Sequence, residues 1–143
     1  MKKDIKDEWI RRLRSGDYEQ GSWYLHFGDR YCCLGVLCDM AVEAGVIKET
    51  KYPHTEVYAY GRSGNDSDFQ TQRLPVSVAQ WAGLTGTSAA EFKGGSLLIW
   101  AHIPPEEDGW EASGRQNLMH LNDNKCSFEE IADVIEVGIE ADL

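Results

Sequence analysis

Cysteine and histidine are the residues of this chain best suited to metal binding or nucleophilic chemistry, and the chain holds four of each. Cys33 and Cys38 have a C-x4-C spacing, which nominally meets the pattern of structural zinc sites. If both lie on one helix, five positions rotate by about 500°, so their side chains point about 140° apart. Cys38 also falls on an apolar stripe, where a thiol behaves as a small hydrophobe. We therefore predict a packing role for these cysteines and no metal site.

A thiol nucleophile is the second chemistry that these residues could support. Cys32 and Cys33 lie where a predicted strand meets a predicted helix, and a helix N-terminus can stabilise a thiolate. His26, His102 and His120 are available as proton acceptors. The sequence around them carries no catalytic signature, no phosphate-binding loop and no H-E-x-x-H motif. We therefore predict no catalytic residue and no cofactor, with a cysteine- or metal-dependent hydrolase of nucleotides as an alternative.

Two polar tracts offer binding chemistry instead of catalysis. Residues 12–21 combine cations, an aromatic ring and an amide, and residues 121–123 read Leu-Asn-Asp. Turn and helix-cap roles would explain many of these residues, because Asn, Asp and Gly commonly terminate helices. A small-molecule pocket is the other interpretation, since such pockets need a few convergent polar groups.

Hydrophobic periodicity places these residues on a mixture of helices and strands. Ile5, Trp9 and Leu13 recur at helical spacing, and Ser127 with Glu130 forms a capping box before the last helix. The predicted helices cover 4–15, 34–45, 74–83, 115–121 and 127–141, and the predicted strands cover 23–27, 30–33, 55–60 and 96–103. Polar loops are predicted over 61–68 and 104–109. The pattern is typical of one α+β domain over 1–143, with about five helices packed on a small, mostly antiparallel sheet.

The charge balance excludes some classes of partner. A net charge of −10 argues against binding to duplex DNA, which requires Lys and Arg to neutralise phosphates. Six of the basic residues nevertheless lie within the first fourteen positions, so a local site for a small anion remains open. No apolar run approaches the ~20 residues that span a bilayer, which predicts no membrane association. The charged N-terminus lacks a hydrophobic signal region and predicts a cytoplasmic protein.

Four sequence motifs resemble those of a small protein family widespread in tailed bacteriophages. They are Gly-x-Tyr-x-Gln-Gly at 16–21, Tyr-Cys-Cys-Leu-Gly-Val-Leu-Cys-Asp at 31–39, Leu-Pro-x-x-Val-x-x-Trp at 74–81, and Leu-Asn-Asp at 121–123 followed by Ser-Phe-x-x-Ile-Ala at 127–132. The resemblance implies a phage source and the host cytoplasm as the place of action, but no activity. Small accessory proteins of phages often act against host defences, and some sequester nucleotide signals, which is an argument by analogy.

The leading hypothesis is therefore a non-enzymatic phage accessory protein that binds a small, anionic, nucleotide-like ligand, as a counter-defence sponge. Arginines would hold phosphate through charge and paired hydrogen bonds, an aromatic ring would stack on a base, and polar side chains would contact its edges. The candidate ligand-binding residues are Arg12, Arg14, Tyr18, Gln20, Arg30, Trp81, Asn122 and Asp123. One alternative is an inhibitor that binds a host protein through the acidic C-terminal face. A homodimer is also expected, because ligand pockets of small proteins often lie between subunits.

Overall fold

Helices make up the larger share of the regular structure in the computed structural model, which describes residues 1–64, 66–103 and 114–142. Within those ranges there are five α-helices: α1 (Lys3–Ser15), α2 (Cys33–Glu43), α3 (Val76–Ala82), α4 (Leu118–Asp123) and α5 (Phe128–Gly138). The strands are β1 (Glu19–Gln20), β2 (His26–Phe27), β3 (Arg30–Tyr31), β4 (Lys48–Lys51), β5 (Tyr58–Gly61), β6 (Ala90–Lys93), β7 (Ser96–Ile103) and β8 (Gly114–Asn117).

The strands form three small sheets with the orders β1-β3-β2, β4-β5 and β6-β7-β8. All of these pairings are antiparallel except that of β1 with β3. The predicted α+β fold, with about five helices and mostly antiparallel pairing, is confirmed. The strands form three small sheets instead of one, and an isolated bridge between Phe27 and Val57 links the first sheet to the segment before β5.

Helix α2 lies at the centre of the core. Trp9 of α1 is fully buried and donates its indole N–H to the carbonyl oxygen of Cys33 at 3.0 Å. Gly35 is required at its position, since a Cβ there would lie 1.8 Å from the carbonyl oxygen of Leu25. Cys38 is fully buried, which confirms its predicted place in the core. The N-terminal part of α2 therefore packs against the β2–β3 hairpin through close backbone contact.

Several predicted boundaries were wrong, and tertiary contacts explain them. Residues 115–117 were predicted to begin a helix, but they belong to β8 and pair with β7. The guanidinium of Arg115 lies 3.7 Å from the ring centre of Trp100, and Asn117 caps α4 by accepting the backbone N–H of His120 at 3.1 Å. The predicted strand 23–27 is reduced to β2, because Trp23 has a positive φ of 75° that interrupts extended backbone.

The last helix also ends before the predicted residue 141. Gly138 is its final residue, and Ile139 is extended with φ −121°. The side-chain ammonium of Lys6 donates to the carbonyl oxygens of Glu136 at 3.0 Å and Ile139 at 2.5 Å, which satisfies carbonyls at the end of α5. The loop predicted over 104–109 lies outside the described residues. In the described parts of the chain, no helix combines the length and apolarity that crossing a bilayer requires.

The loop predicted over 61–68 is anchored by Asp68 at its C-terminal end. This carboxylate is buried and accepts hydrogen bonds from the backbone N–H groups of Arg62 at 2.7 Å and Ser77 at 3.2 Å, and from the Ser77 hydroxyl. Asp68 therefore caps the first turn of α3 from a distance in sequence. This end of the loop has a structural role.

Candidate functional site

Asn122 connects three of the sequence motifs through one buried amide. Its Oδ1 accepts the backbone N–H of Cys33 at 3.1 Å and an N–H of the Gln20 amide at 2.9 Å, and its Nδ2 donates to the carbonyl oxygen of Gly21 at 2.8 Å. The Gln20 amide also donates to the carbonyl oxygen of Cys126 at 2.7 Å. We call these five residues the Asn122 cluster. It ties α4 to β1 and to the N-terminus of α2, which is a positioning role.

Asp123 lies beside this cluster and holds the backbone of Trp23. Its Oδ1 accepts the Trp23 backbone N–H at 2.9 Å and is 3.4 Å from Nδ2 of Asn122. Trp23 has φ 75°, a left-handed conformation that non-glycine residues rarely adopt, and its side chain is 66% exposed. Strained backbone of this kind is often found at functional sites. The structure therefore brings together three of the predicted ligand-binding residues, Gln20, Asn122 and Asp123, and adds Trp23.

Arg12 and Tyr18 belong to a different group of residues, which is closed by internal charge pairing. The guanidinium of Arg12 donates to Glu8 at 2.7 Å and to Glu43 at 2.5 Å, and it also donates to the Tyr18 hydroxyl at 3.1 Å. The Tyr18 hydroxyl donates to Asp39 at 2.5 Å. Burial raises the pKa of Tyr18 to about 12, and the bond to Asp39 adds to the shift. The donors of Arg12 are therefore largely occupied.

The other predicted residues lie apart from the Asn122 cluster or at its edge. Arg14 of α1 pairs with Asp133 at 2.7 Å and with Glu136 at 3.0 Å, both on α5. Arg30 is 62% exposed and donates to the carbonyl oxygen of Gln20 at 3.2 Å. Trp81 is half-buried on α3 and packs against the hydrophobic core. These positions do not form one pocket with Asp123.

The thiols of α2 and its N-cap are poorly suited to nucleophilic chemistry. Cys32, Cys33 and Cys38 are fully buried, and burial raises the pKa of Cys32 to about 12 and those of Cys33 and Cys38 well above the usual value. The sulfur of Cys32 accepts the backbone N–H of Gly35 at 3.3 Å, so this residue acts as the N-cap of α2. No group of three His, Cys, Asp or Glu side chains with metal-binding geometry occurs among the described residues.

His26 is enclosed in an aromatic stack. Its ring lies between those of Tyr31 and Tyr58, with centroid distances of 4.0 and 3.9 Å. Its Nε2 donates to the carbonyl oxygen of Gly28 at 2.7 Å, and its Nδ1 is 2.9 Å from the hydroxyl of Tyr60, which donates to Glu49 at 2.5 Å. The stack joins β2 and β3 to β5. Because both ring nitrogens have partners, His26 is a structural residue.

A cavity of about 390 Å³ opens between Trp23, the start of α2, β7 and α4. We call it the Trp23–Arg73 pocket. Its apolar lining residues are Leu34, Leu97, Leu98, Ile99 and Met119, and its polar and aromatic lining residues are Trp23, Gln72, Arg73, Asn117, His120 and Asp123. An apolar base with a few polar groups, at this volume, is typical of small-molecule sites.

Arg73 is the most unusual residue of the Trp23–Arg73 pocket. Its Nε is buried and forms no hydrogen bond, and its Nη1 makes a long contact of 3.4 Å with the carbonyl oxygen of Gln72. Among the described residues no carboxylate forms a salt bridge with it. A half-buried guanidinium without an anion is costly, because the charge has lost part of its water and gained no partner. The pocket thus offers a guanidinium to an anionic group, and Asp123 adds a carboxylate to the same lining.

One larger groove of the molecule fits an anionic ligand less well. A groove of about 610 Å³ between α1 and α5 is lined by Lys6, Arg11, Arg14 and acidic residues. Its arginines are already paired, Arg11 with Glu8 at 2.7 Å and Arg14 with α5, and Lys6 donates to the backbone of α5. An incoming anion would have to displace these partners. The Trp23–Arg73 pocket needs no such exchange.

Sequence reasoning did not single out Trp23, Arg73 or His120 as candidate ligand-binding residues. One signal could have indicated Arg73: it is the single charged residue between Asp68 and Glu91. Asp68, the nearest acid in sequence, is five positions away and its carboxylate is bound to Ser77, so Arg73 depends on the fold for a partner. Trp23 directly follows the Gly-Ser dipeptide of a polar loop and was assigned to the predicted strand 23–27, so the sequence did not mark it as a loop residue. His120 gives no comparable signal.

The fold and the pocket together define an α+β protein with a cavity whose lining includes a guanidinium that has no carboxylate partner among the described residues. The family model described as a domain of unknown function, DUF8296, matches residues 1–139, so the chain belongs to that family. No curated protein and no solved structure shows significant similarity to the chain.

Proposed function

We propose that this protein binds a small, anionic, nucleotide-like ligand in the Trp23–Arg73 pocket without chemical turnover. In this proposal it is a phage accessory protein of the host cytoplasm that sequesters a nucleotide signal of host defence. The observation that carries the binding proposal is the half-buried guanidinium of Arg73, which lacks an anionic partner among the described residues and shares a cavity with an exposed indole.

Each part of the pocket matches one part of such a ligand. Arg73 supplies a planar set of donors that pairs well with phosphate oxygens. Trp23 offers a large exposed ring, and stacking of a base on an aromatic side chain contributes roughly 1–3 kcal/mol. The apolar base formed by Leu97, Ile99 and Met119 can cover the remaining ring surface.

Binding without turnover is supported by the state of the candidate nucleophiles. The thiols of Cys32, Cys33 and Cys38 are fully buried with raised pKa values, so they form little thiolate at neutral pH. None of these three lines the pocket. The protein-interaction alternative is less favoured, because Asp133 and Glu136 on the acidic face of α5 are already paired with Arg14.

Mass spectrometry of small molecules released from the purified, denatured protein is the direct test of the proposal. Recovery of a nucleotide or another phosphorylated aromatic compound is expected. In parallel, thermal shift measurements with a panel of nucleotides should raise Tm, because a ligand of the native state stabilises it. If no nucleotide is released and none raises Tm, the proposal fails.

The Arg73→Gln variant tests whether the ligand binds in the Trp23–Arg73 pocket. Loss of a charge-assisted hydrogen bond of about 1.5–3 kcal/mol weakens affinity roughly 10- to 100-fold. Arg30→Gln is the matched control, because Arg30 is exposed and lies outside the Trp23–Arg73 pocket. Calorimetric titration should show a large loss for Arg73→Gln and almost none for Arg30→Gln. The reverse order would move the ligand to the surface around Arg30.

A further inference from the structure

We propose that Asp123 makes the Trp23–Arg73 pocket selective for a guanine base, an inference that rests on the proposed nucleotide binding. Asp123 contributes a carboxylate to the same cavity as Arg73. A carboxylate repels a bare anion, so it must be matched by a hydrogen-bond donor elsewhere on the ligand. The ligand therefore carries its anionic group toward Arg73 and N–H donors toward Asp123.

The two oxygens of Asp123 are used differently. Oδ1 is occupied by the backbone N–H of Trp23 at 2.9 Å and the amide of Asn122 at 3.4 Å. Oδ2 accepts no hydrogen bond from any residue that the structure describes. An ionised carboxylate has about four acceptor positions, so Oδ2 can accept two donors. The carboxylate cannot turn away without releasing the strained Trp23 backbone.

Asn117 contributes an amide donor to the same cavity from the other end of α4. Its Oδ1 is fixed by the backbone N–H of His120 at 3.1 Å, as the N-cap of α4. Its Nδ2 makes no hydrogen bond with any described residue, and Asn117 lines the pocket with Asp123. The pocket thus holds a carboxylate acceptor at the C-terminal end of α4 and an amide donor at its N-terminal end.

Guanine is the common base that complements the Asp123 carboxylate. It presents two adjacent N–H donors, on N1 and N2, next to the O6 acceptor. Both donors can be directed at Asp123 Oδ2, and the Asn117 amide is left for another polar group of the ligand. Adenine presents the lone pair of N1 where guanine has a donor, and this lone pair is repelled by a carboxylate. Xanthine has an oxygen at C2, which is repelled in the same way.

The test is a titration of the purified protein with GMP, AMP, IMP and XMP. GMP should bind at least 10-fold more tightly than AMP, and IMP, which lacks the N2 amine, should lie between them. The Asp123→Asn variant keeps an Oδ1 for Trp23 but adds an amide donor, so it should weaken GMP and strengthen XMP. Asp29→Asn, an exposed acid outside the pocket, is the control and should change neither.

The possible failures are distinguishable. Equal binding of GMP and AMP by the unmodified protein would overturn guanine selection and leave nucleotide binding in place. Binding of no nucleotide would overturn both proposals. Because the GMP to AMP ratio is measured on the unmodified protein, this test does not depend on the folding of the Asp123→Asn variant.

Discussion

Polar side chains in and near the Trp23–Arg73 pocket use some of their atoms for hydrogen bonds that stabilise the fold, and other atoms have no described partner. Gln20 and Asn122 were predicted to contact a ligand, yet their amide groups make hydrogen bonds within the Asn122 cluster. Asp123 uses Oδ1 for Trp23 and leaves Oδ2 without a described partner. The motif residues thus position the pocket, and the atoms left over are those that a ligand could use.

The first prediction concerns the Asn122 cluster. Asn122→Ala should lower the free energy of unfolding by about 2–4 kcal/mol, because it leaves a buried N–H of Cys33 and the Gln20 amide with fewer partners. Urea unfolding measures this difference as a shift in midpoint at constant slope. Asn124→Ala is the control, since Asn124 is exposed and its side chain is hydrogen-bonded to His120 alone among the described residues, and it should cost less than ~1 kcal/mol. Equal losses would mean that the cluster is not a structural centre.

Helix α1 shows at the scale of elements why a basic segment need not be a binding site. Its cations contact acids on other helices: Arg12 contacts α2 through Glu43, and Arg14 contacts α5 through Asp133 and Glu136. The partners of Arg14 lie more than a hundred positions away in the chain, so local sequence could not reveal the pairing. The contacts of Arg14 join helices that lie near the two ends of the amino-acid chain.

The second prediction compares two cations of α1. Lys6 is buried and donates to two carbonyls at the end of α5, whereas Arg14 forms partly exposed ion pairs. Lys6→Met should cost about 1–3 kcal/mol by leaving those carbonyls unsatisfied. Arg14→Met should cost under ~1 kcal/mol, as is usual for surface ion pairs. Denaturant unfolding of both variants measures the order, and a larger loss for Arg14→Met would contradict it.

Helices marked by a pattern of nearby residues were predictable from the sequence. Strands that form only because they pair with another strand were not. The apolar stripe of α1 and the capping box of α5, with Ser127 and Glu130 bonded in both directions, are present as predicted. Strand β4 is exposed along its whole length and has no alternation to detect. Strand β8 exists because it pairs with β7. For the same reason, the sequence pointed to Asp123 but missed Arg73, whose role depends on which loops meet at the pocket.

The whole molecule carries a net charge of −10, and its basic residues are concentrated in α1. Acids of α1 and of other elements surround those cations. Glu8 accepts hydrogen bonds from Arg11 and Arg12, which lower its pKa to about 2, and Arg12 lowers the pKa of Glu43. As the pH is lowered, these acids become protonated in the unfolded chain before they do so in the native protein. The stability of the native protein therefore falls at acidic pH.

The third prediction is an acid-dependent loss of stability. The native pKa of Glu8 is depressed from the usual 4.5 to about 2, so its contribution is complete above pH 4.5 and is lost as the pH falls toward 2. The size is moderated by solvent, because the Glu8 side chain is 35% exposed. Thermal unfolding from pH 7 to pH 2 should show Tm falling mainly below pH 4.5.

Glu8→Gln should reduce Tm at neutral pH and flatten the fall, whereas Asp29→Asn, a polar substitution in an exposed turn, should leave the profile unchanged. A Glu8→Gln profile parallel to that of the unmodified protein would show that the pairing of α1 does not control the acid response.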